Sequence, residues 1–382
     1  IVGAFLFSRG FIKTGLGKRI AYNLISAFGS SSLRLAYALA LSDLILAPAT
    51  PSNTARVGGV IMPITTSLAK AFGSEPQDGP RKIGSFLMQS IYQVNTITSA
   101  MFQTSMAGNT LVAALALQSF GIGITWGDWA MAAIVPGIIA LIVMPYFIYK
   151  VYPPEIKDAR EAQQMIKEEL KGLGKMSFQE WVMLGVFILA LVLWATSQFT
   201  KIDATTVAFL GISILLATSV LVWDDVKSEK GAWDTLVWMG TLMGFAGFLS
   251  KLGFIKWATV LVGGYIPEGS WIIAFVIAVL VNTYSHYVFA SLTAHISAMF
   301  VAFSAIAISA GAPPMLTLLM IAFTSNLCMS LTHYAAGPSP VIFNTGYVPQ
   351  NTWWKLGFFA SVINLIIFMG LGSVWMKAIG MW

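Results

Sequence analysis

Apolar runs of roughly twenty residues, enough for a helix to cross a bilayer, recur along this chain and are separated by short polar interruptions. Read at that spacing, the pattern predicts a span ending near Ile12 and a basic amphipathic stretch from Lys13 to Gly29. Two apolar arms follow, over about residues 35–47 and 55–70, each too short to cross separately. A broken span covers about 83–120, interrupted at Thr104–Thr110, and another span covers about 128–149. Residues 150–178 are charged and amphipathic. Spans at about 180–200, 204–223 and 231–250 lead to a second interfacial stretch, Lys251 to Gly264. Then come two more arms (about 270–288 and 291–310), a second broken span (about 314–347, interrupted at "AAGPSP") and a span at about 353–376.

That order repeats. "GFIKTGLGKRIA" begins at Gly10 and "GFLSKLGFIKWA" at Gly247, while "SNTARVGG" begins at Ser52 and "SLTAHISA" at Ser291. Residues 1–149 thus read as a first unit, 150–178 as an amphipathic linker, 179–230 as two linking spans and 231–382 as a second unit. Spans ending at Ile12, Phe120, Tyr149, Thr200 and Trp223 separate the two starts. An odd number of crossings inverts the second unit, provided each paired-arm element enters and leaves by one face. The expected fold is therefore an all-α polytopic membrane protein of inverted repeats, with two re-entrant hairpins and two broken helices. Inverted repeats with discontinuous helices at the midplane mark secondary transporters.

Composition agrees with this reading. Hydrophobic residues make up 57% and charged residues 10%, against about 25% charged in a soluble domain. Placing 150–178 in the cytoplasm gathers Lys13, Lys18, Arg19, Arg81, Lys82, Lys227, Lys230 and Lys355 on one side. Lys201, Lys251, Lys256 and Lys377 fall on the other, an asymmetry that follows the positive-inside tendency. The net charge of +6 thus reflects cytoplasmic loops rather than nucleic-acid binding. A lone cysteine, Cys328, excludes an internal disulfide. The chain opens on Ile within an apolar run, without a signal-peptide pattern, and the expectation is that an N-terminal portion precedes it.

Candidate chemistry lies in the interruptions. Pro48 and Pro51 end the first arm, because proline removes a donor and clashes with the preceding turn. Ser52 suits the N-cap of the second arm, whose free N–H groups and dipole end favour an anion. With Asn53 and Thr54 it would make an uncharged carboxylate cradle. The second tip keeps Ser291 and Thr293 but carries Leu292 where the first has asparagine. The breaks at Gly108, Asn109, Thr110 and at Gly337, Pro338, Ser339 would face the tips and offer unwound backbone. The bland alternatives are an ordinary capped loop and ligand-free kinks.

"LAPATPSNTARVGGVIMPI", "HYVFASLTAH" and "LTHYAAGPSPVIFNTGYV" resemble the divalent anion/sodium symporter family. Among its branches they are most similar to 2-oxoglutarate/malate translocators and bacterial dicarboxylate exchangers. The resemblance implies an elevator-type carrier, usually a homodimer, of C4/C5 dicarboxylates in a bacterial inner membrane or plastid envelope. It assigns substrate carboxylates to Ser52, Asn53, Thr54, Ser291 and Thr293, with sodium beside each tip. Leu292 departs from the pattern, since it cannot coordinate a hard cation. Arg56 and, at the equivalent position, His295 stand as built-in counter-cations in place of sodium. Fixed cations would disfavour empty return and so enforce exchange, with sodium-coupled symport as the alternative. Arg56 has a second reading, a neutral intramembrane pair with Asp43 that ties the arms together. The repeat sets Asn282 opposite His295, so the second half lacks that acid. His333, near the second break, is a further substrate candidate; His286 has no assigned role. No resident metal or cofactor is expected. An intramembrane hydrolase finds no GxSxG, HExxH or paired catalytic acids, so the chain reads as a carrier rather than an enzyme.

Overall fold

In the computed structural model, which describes residues 2–253 and 271–382, the described residues form no strand, only an isolated bridge between Ser31 and Asp158. Helices α1 (Val2–Thr14) and α2 (Leu16–Phe28) open the chain; α2 is amphipathic. Helix α3 (Ser32–Leu46) is capped by Ser31, whose hydroxyl accepts from Arg34 N. Pro48 converts its end to a 3-10 turn over Ala47–Ala49, and Thr50 and Ser52 are extended on either side of a bend at Pro51. Ser52 then caps α4 (Asn53–Arg56), its Oγ accepting from Ala55 N at 3.1 Å. A π-turn over Val57–Ile61 joins α4 to α5 (Met62–Ala71).

The base of this hairpin shows that it is re-entrant. Ser32 N donates to Lys157 O, and Ser74, just past α5, accepts from Gly84 N and from the Tyr347 hydroxyl through its carbonyl. Both ends therefore lie at one face, beside the start of α6 (Gly84–Met101) and the end of α8 (Trp126–Val151). The first arm is longer than the expected 35–47: Ser32–Ala49 is 18 residues, long and apolar enough to cross alone, as are Trp271–Val288 and Leu292–Ser309 of the second hairpin, which match the expected 270–288 and 291–310. What makes them re-entrant is where their ends meet, which arm length does not decide.

Beyond α8, α9 (Arg160–Gly172) lies against α2 within the charged linker, and Arg19 joins Glu180 at the head of α10 (Phe178–Ala195). Short α11 (Ser197–Thr200) precedes α12 (Ala204–Ala217). The span expected over 204–223 ends early: Ser219 takes φ 57°, and Val220 and Leu221 fold back into the core. Helices α13 (Trp223–Ser228) and α14 (Lys230–Lys251) follow. Most of the predicted interfacial stretch Lys251–Gly264 lies outside the described residues.

The second hairpin is α15 (Trp271–Ser285), a 3-10 turn over His286–Val288, and α16 (Leu292–Ser309), capped by Ser291. Its base closes where Gly311 approaches Trp271, whose ring meets that of Trp382. The 29-residue stretch Gln350–Ala378, formed by α19 (Gln350–Leu365), a π-turn and α20 (Ser373–Ala378), starts near the Tyr347 end and finishes near Trp382. At 1.5 Å per residue it spans about 43 Å. The two hairpins thus open from opposite ends of one continuous helix, so the repeat is inverted.

The broken helices are α6 with α7 (Ala107–Phe120), and α17 (Pro314–Leu327) with α18 (Pro338–Phe343). Their unwound parts fall slightly earlier than expected, at 102–106 and 332–337, the second preceded by a 3-10 turn over Cys328–Leu331. Pro338 starts a helix rather than breaking one, because its missing N–H is an orphan in a first turn anyway.

Candidate site at the two hairpin tips

The first tip is fastened to the first break from below. Arg56 is 1% exposed and Asp43 2%, and Arg56 Nε donates to Asp43 Oδ1 at 2.9 Å. Arg56 Nη1 donates to Thr50 O of the tip at 2.9 Å and to Ser105 O of the break at 3.0 Å. Nη2 reaches the hydroxyls of Thr98 and Ser99, both at 3.3 Å. Asp43 also accepts from Asn95 Nδ2 at 3.1 Å and from the Thr98 hydroxyl. Thr104 Oγ1 donates to Pro48 O at 2.5 Å. A guanidinium and a carboxylate are tolerated at this depth because each is fully hydrogen-bonded and neutralised by the other.

Asn109 closes the first break. Its Nδ2 donates to Ser99 O and Phe102 O, the carbonyls that α6 leaves unpaired where it ends. Its Oδ1 accepts from Asn326 Nδ2 at 2.7 Å, which links the first break to α17. Thr110 Oγ1 returns to Ala107 O. In the second break the Tyr92 hydroxyl donates to Met329 O and meets Ser339 Oγ at 2.7 Å. Ser339 Oγ also accepts from Ala336 N at 3.1 Å.

The halves cross over. Helix α18 of the second break packs on α4 of the first tip, and α16 of the second hairpin packs on α7 of the first break. Gly337 faces Thr54 so closely that a Cβ there would lie 2.1 Å from Thr54 Oγ1. Gly108 stands likewise against Ile296 Cδ1, at 2.7 Å. Both tips converge on the single turn at Cys328–Met329. Asn53 Nδ2 reaches Met329 Sδ at 3.6 Å, while donor atoms of His286 and His295 lie within 4.8 Å of that of Cys328.

Burial sorts the sequence-predicted residues into two groups. Ser52, Thr54, Thr110, Thr293 and His333 are partly exposed, and Ser291 and Gly337 are exposed. Asn53, Gly108, Asn109, Pro338, Ser339, Arg56 and His295 are buried beneath them. His333 accepts from Trp354 Nε1 at 3.0 Å and lies against the Phe343 ring. The residues that sequence reading missed are Asn95, Thr98, Ser99, Ser105, Tyr92, Asn326 and Met329. The run "QVNTITS", Gln93–Ser99, was a usable signal, since it is polar within a helix whose residues are all buried. Among the described residues the surface cavity of about 500 Å³ lined by Arg34, Tyr37 and Leu41 holds no residue of either tip.

With this geometry established, the sequence comparisons decide the family. The profile of the sodium:sulfate symporter transmembrane region matches residues 1–382. The chain belongs to this family. It is 51% identical to the putative malate transporter YflS of Bacillus subtilis, over 100% of this chain and 80% of that protein. It is 47% identical to the chloroplastic dicarboxylate transporter 1 of Spinacia oleracea, over 99% of this chain and 67% of that one. The inner membrane protein YbhI of Escherichia coli is 42% identical, over 100% and 80% respectively. Among solved structures, Neisseria gonorrhoeae MtrF superposes with TM-score 0.64 at 13% identity, covering 98% of this chain and 80% of that one. Alcanivorax borkumensis YdaH superposes at 0.54 with 11% identity, covering 100% and 85%. Likenesses at that identity carry the fold alone. This family member is a multi-pass integral membrane protein with seven described helices long and apolar enough to span.

Proposed function

We propose that the protein is a secondary carrier that exchanges C4/C5 dicarboxylates such as malate, succinate or 2-oxoglutarate, without sodium. One observation carries this reading: two hairpins entering from opposite faces present hydroxyl-lined tips that converge on one turn. Two separated carboxylate cradles suit an anion charged at both ends. Thr54 seated on Gly337, and Ser291 with Thr293 across the turn, would hold the two ends, while Asn53, Asn109 and Ser339 keep the tips and breaks in register. The names of the relatives, a malate transporter and chloroplastic dicarboxylate transporters, support the substrate class.

The case against sodium rests on oxygens. Arg56 already fills an oxygen cage built from tip and break: Thr50 O, Ser105 O, Thr98 Oγ1 and Ser99 Oγ. The pair with Asp43 is neutral overall but polarised, its guanidinium toward the tip and its carboxylate toward Asn95. At the second tip, apolar Leu292 is buried and His295 holds the corresponding place. The carrier reading leaves no role for catalysis. We place residues 150–178 and the base of the first hairpin in the cytoplasm, from the basic-residue asymmetry. A homodimer in a bacterial inner membrane or plastid envelope is part of the proposal.

Proteoliposome counterflow tests it. Labelled malate should enter only vesicles preloaded with dicarboxylate, at the same rate with or without a sodium gradient. Robust uptake into empty vesicles driven by sodium would replace exchange with symport. Crosslinking or mass photometry of the purified protein reads the oligomeric state.

A further inference from the structure

Three metal-type donors meet at the second tip, one of them His295, which the exchange reading sets at the place equivalent to Arg56. His286 lies on the turn ending the first arm, His295 on the second arm and Cys328 on the turn before the second break. All are fully buried, and one donor atom from each lies within 4.8 Å of the others.

Each imidazole holds one nitrogen against a backbone carbonyl. His286 Nε2 is 2.9 Å from Ala335 O, and His295 Nε2 is 2.8 Å from Asn282 O. Only an N–H can bond a carbonyl oxygen, so each ring, when neutral, carries its proton on Nε2 and a lone pair on Nδ1. Metal-bound histidines characteristically hold their far nitrogen this way, against a backbone carbonyl. Neither Nδ1 has a hydrogen-bond partner among the described residues. Two buried nitrogens without a partner among the described residues need an explanation. The Cys328 thiol now donates to Ser325 O at 3.2 Å, a weak bond that it can exchange for a metal.

We propose that His286, His295 and Cys328 bind one borderline-to-soft transition-metal ion of the zinc(II) type, which pins the second tip to its break and brakes transport. Imidazole with thiolate selects such ions, whereas sodium, magnesium and calcium demand oxygen. Metal–nitrogen and metal–sulfur bonds near 2.0 and 2.3 Å in a tetrahedral site imply donor separations of about 3.3–3.5 Å, so the side chains close by up to about 1.5 Å on binding. As the metal–sulfur bond forms, the Cys328 thiol releases its proton to solvent. Three protein ligands leave a position open for water. Because the ligands come from both arms and the break, the ion crosslinks every element of the second tip.

Cobalt(II) is the probe, added to the purified full chain in detergent without any dicarboxylate, so that the outcome is independent of the transport reading. The expected result is one cobalt per chain with a thiolate-to-cobalt absorption band that zinc displaces. Cys328→Ser should abolish the band, and His286→Gln should weaken binding at least tenfold. Cys328→Ser should keep a cooperative unfolding transition, which checks that it is folded, and zinc should raise the unfolding temperature of the native chain but not of this variant. In proteoliposomes saturating zinc should slow exchange at least tenfold in the native chain and leave Cys328→Ser at its metal-free rate. No cobalt band, or a band surviving in Cys328→Ser, overturns the site; exchange unaffected by bound zinc overturns the brake.

Discussion

The two tips share a backbone design but solve the problem of buried polarity differently. Each begins its second arm with a serine cap, at Ser52 and Ser291, and each packs on the other half's broken helix. Under the first tip lies an ion pair whose guanidinium donates to four oxygens besides its carboxylate. Under the second lie two imidazoles, each using one nitrogen and leaving the other unpaired among the described residues. One tip is electrostatically closed; the other rests on imidazoles packed against the Phe289 ring. A duplicated fold therefore does not oblige a duplicated site, because the side chains under each tip set the local chemistry.

Breaking the ion pair should give the largest effect. Arg56→Ala strands Asp43 in the core, and removal of one partner of a buried pair costs about 3–5 kcal/mol. Folded protein recovered from detergent, read by thermal unfolding, should fall sharply. The double change Asp43→Leu with Arg56→Met should recover most of that stability, and failure to do so would show that the tip needs the guanidinium's carbonyl contacts as well as charge balance.

Next comes the crossover. Gly337→Ala drives a Cβ onto Thr54 Oγ1, and since Gly337 has φ −54° the contact alone carries the effect. Exchange should drop at least tenfold. Adding Thr54→Ala should restore folding but not substrate affinity. The counterpart, Gly108→Ala, meets the flexible end of Ile296 and should be several-fold milder. Equal losses at both glycines would contradict the asymmetry of the two tips.

Leu292→Asn restores an oxygen to the second tip, and exchange should become stimulated by sodium; a rate unchanged by sodium would mean that His295 and its neighbours block the cation regardless. Ser52→Ala and Ser291→Ala each remove an N-cap worth about 1 kcal/mol. Both should lower thermal stability slightly and weaken dicarboxylate binding, measurable by calorimetry. The smallest change is expected at the exposed Lys227–Asp224 pair, where surface ion pairs contribute at most about 1 kcal/mol.

Much of the architecture is legible in the sequence, for reasons particular to a membrane. Backbone in hydrocarbon must be helical, so the interruptions at "PATPSNT" and "AAGPSP" stand out against apolar runs. The near-constant offset between Ser52 and Ser291 then exposes the repeat. The first arm alone runs past its expected end at 47, because proline marks where a helix bends but not how far it continues as a 3-10 turn, as at Ala47–Ala49. The span over 204–223 was overread because Val220 and Leu221 are apolar yet lie in a buried return rather than a helix.

By itself the sequence determined the helical class and the inverted order, placed a serine at each tip and offered the Asp43–Arg56 pair as one of two readings of Arg56, from apolar periodicity and from equal spacing about a turn. Only the tertiary structure decided which tip meets which break, why Gly337 and not another residue faces Thr54, and that His286, His295 and Cys328 share one pocket. Those contacts join residues such as Asn53 and Met329, or Asn109 and Asn326, that lie more than two hundred positions apart. Local pattern carries no information about such partners, because their proximity comes from how the two repeats pack across one another.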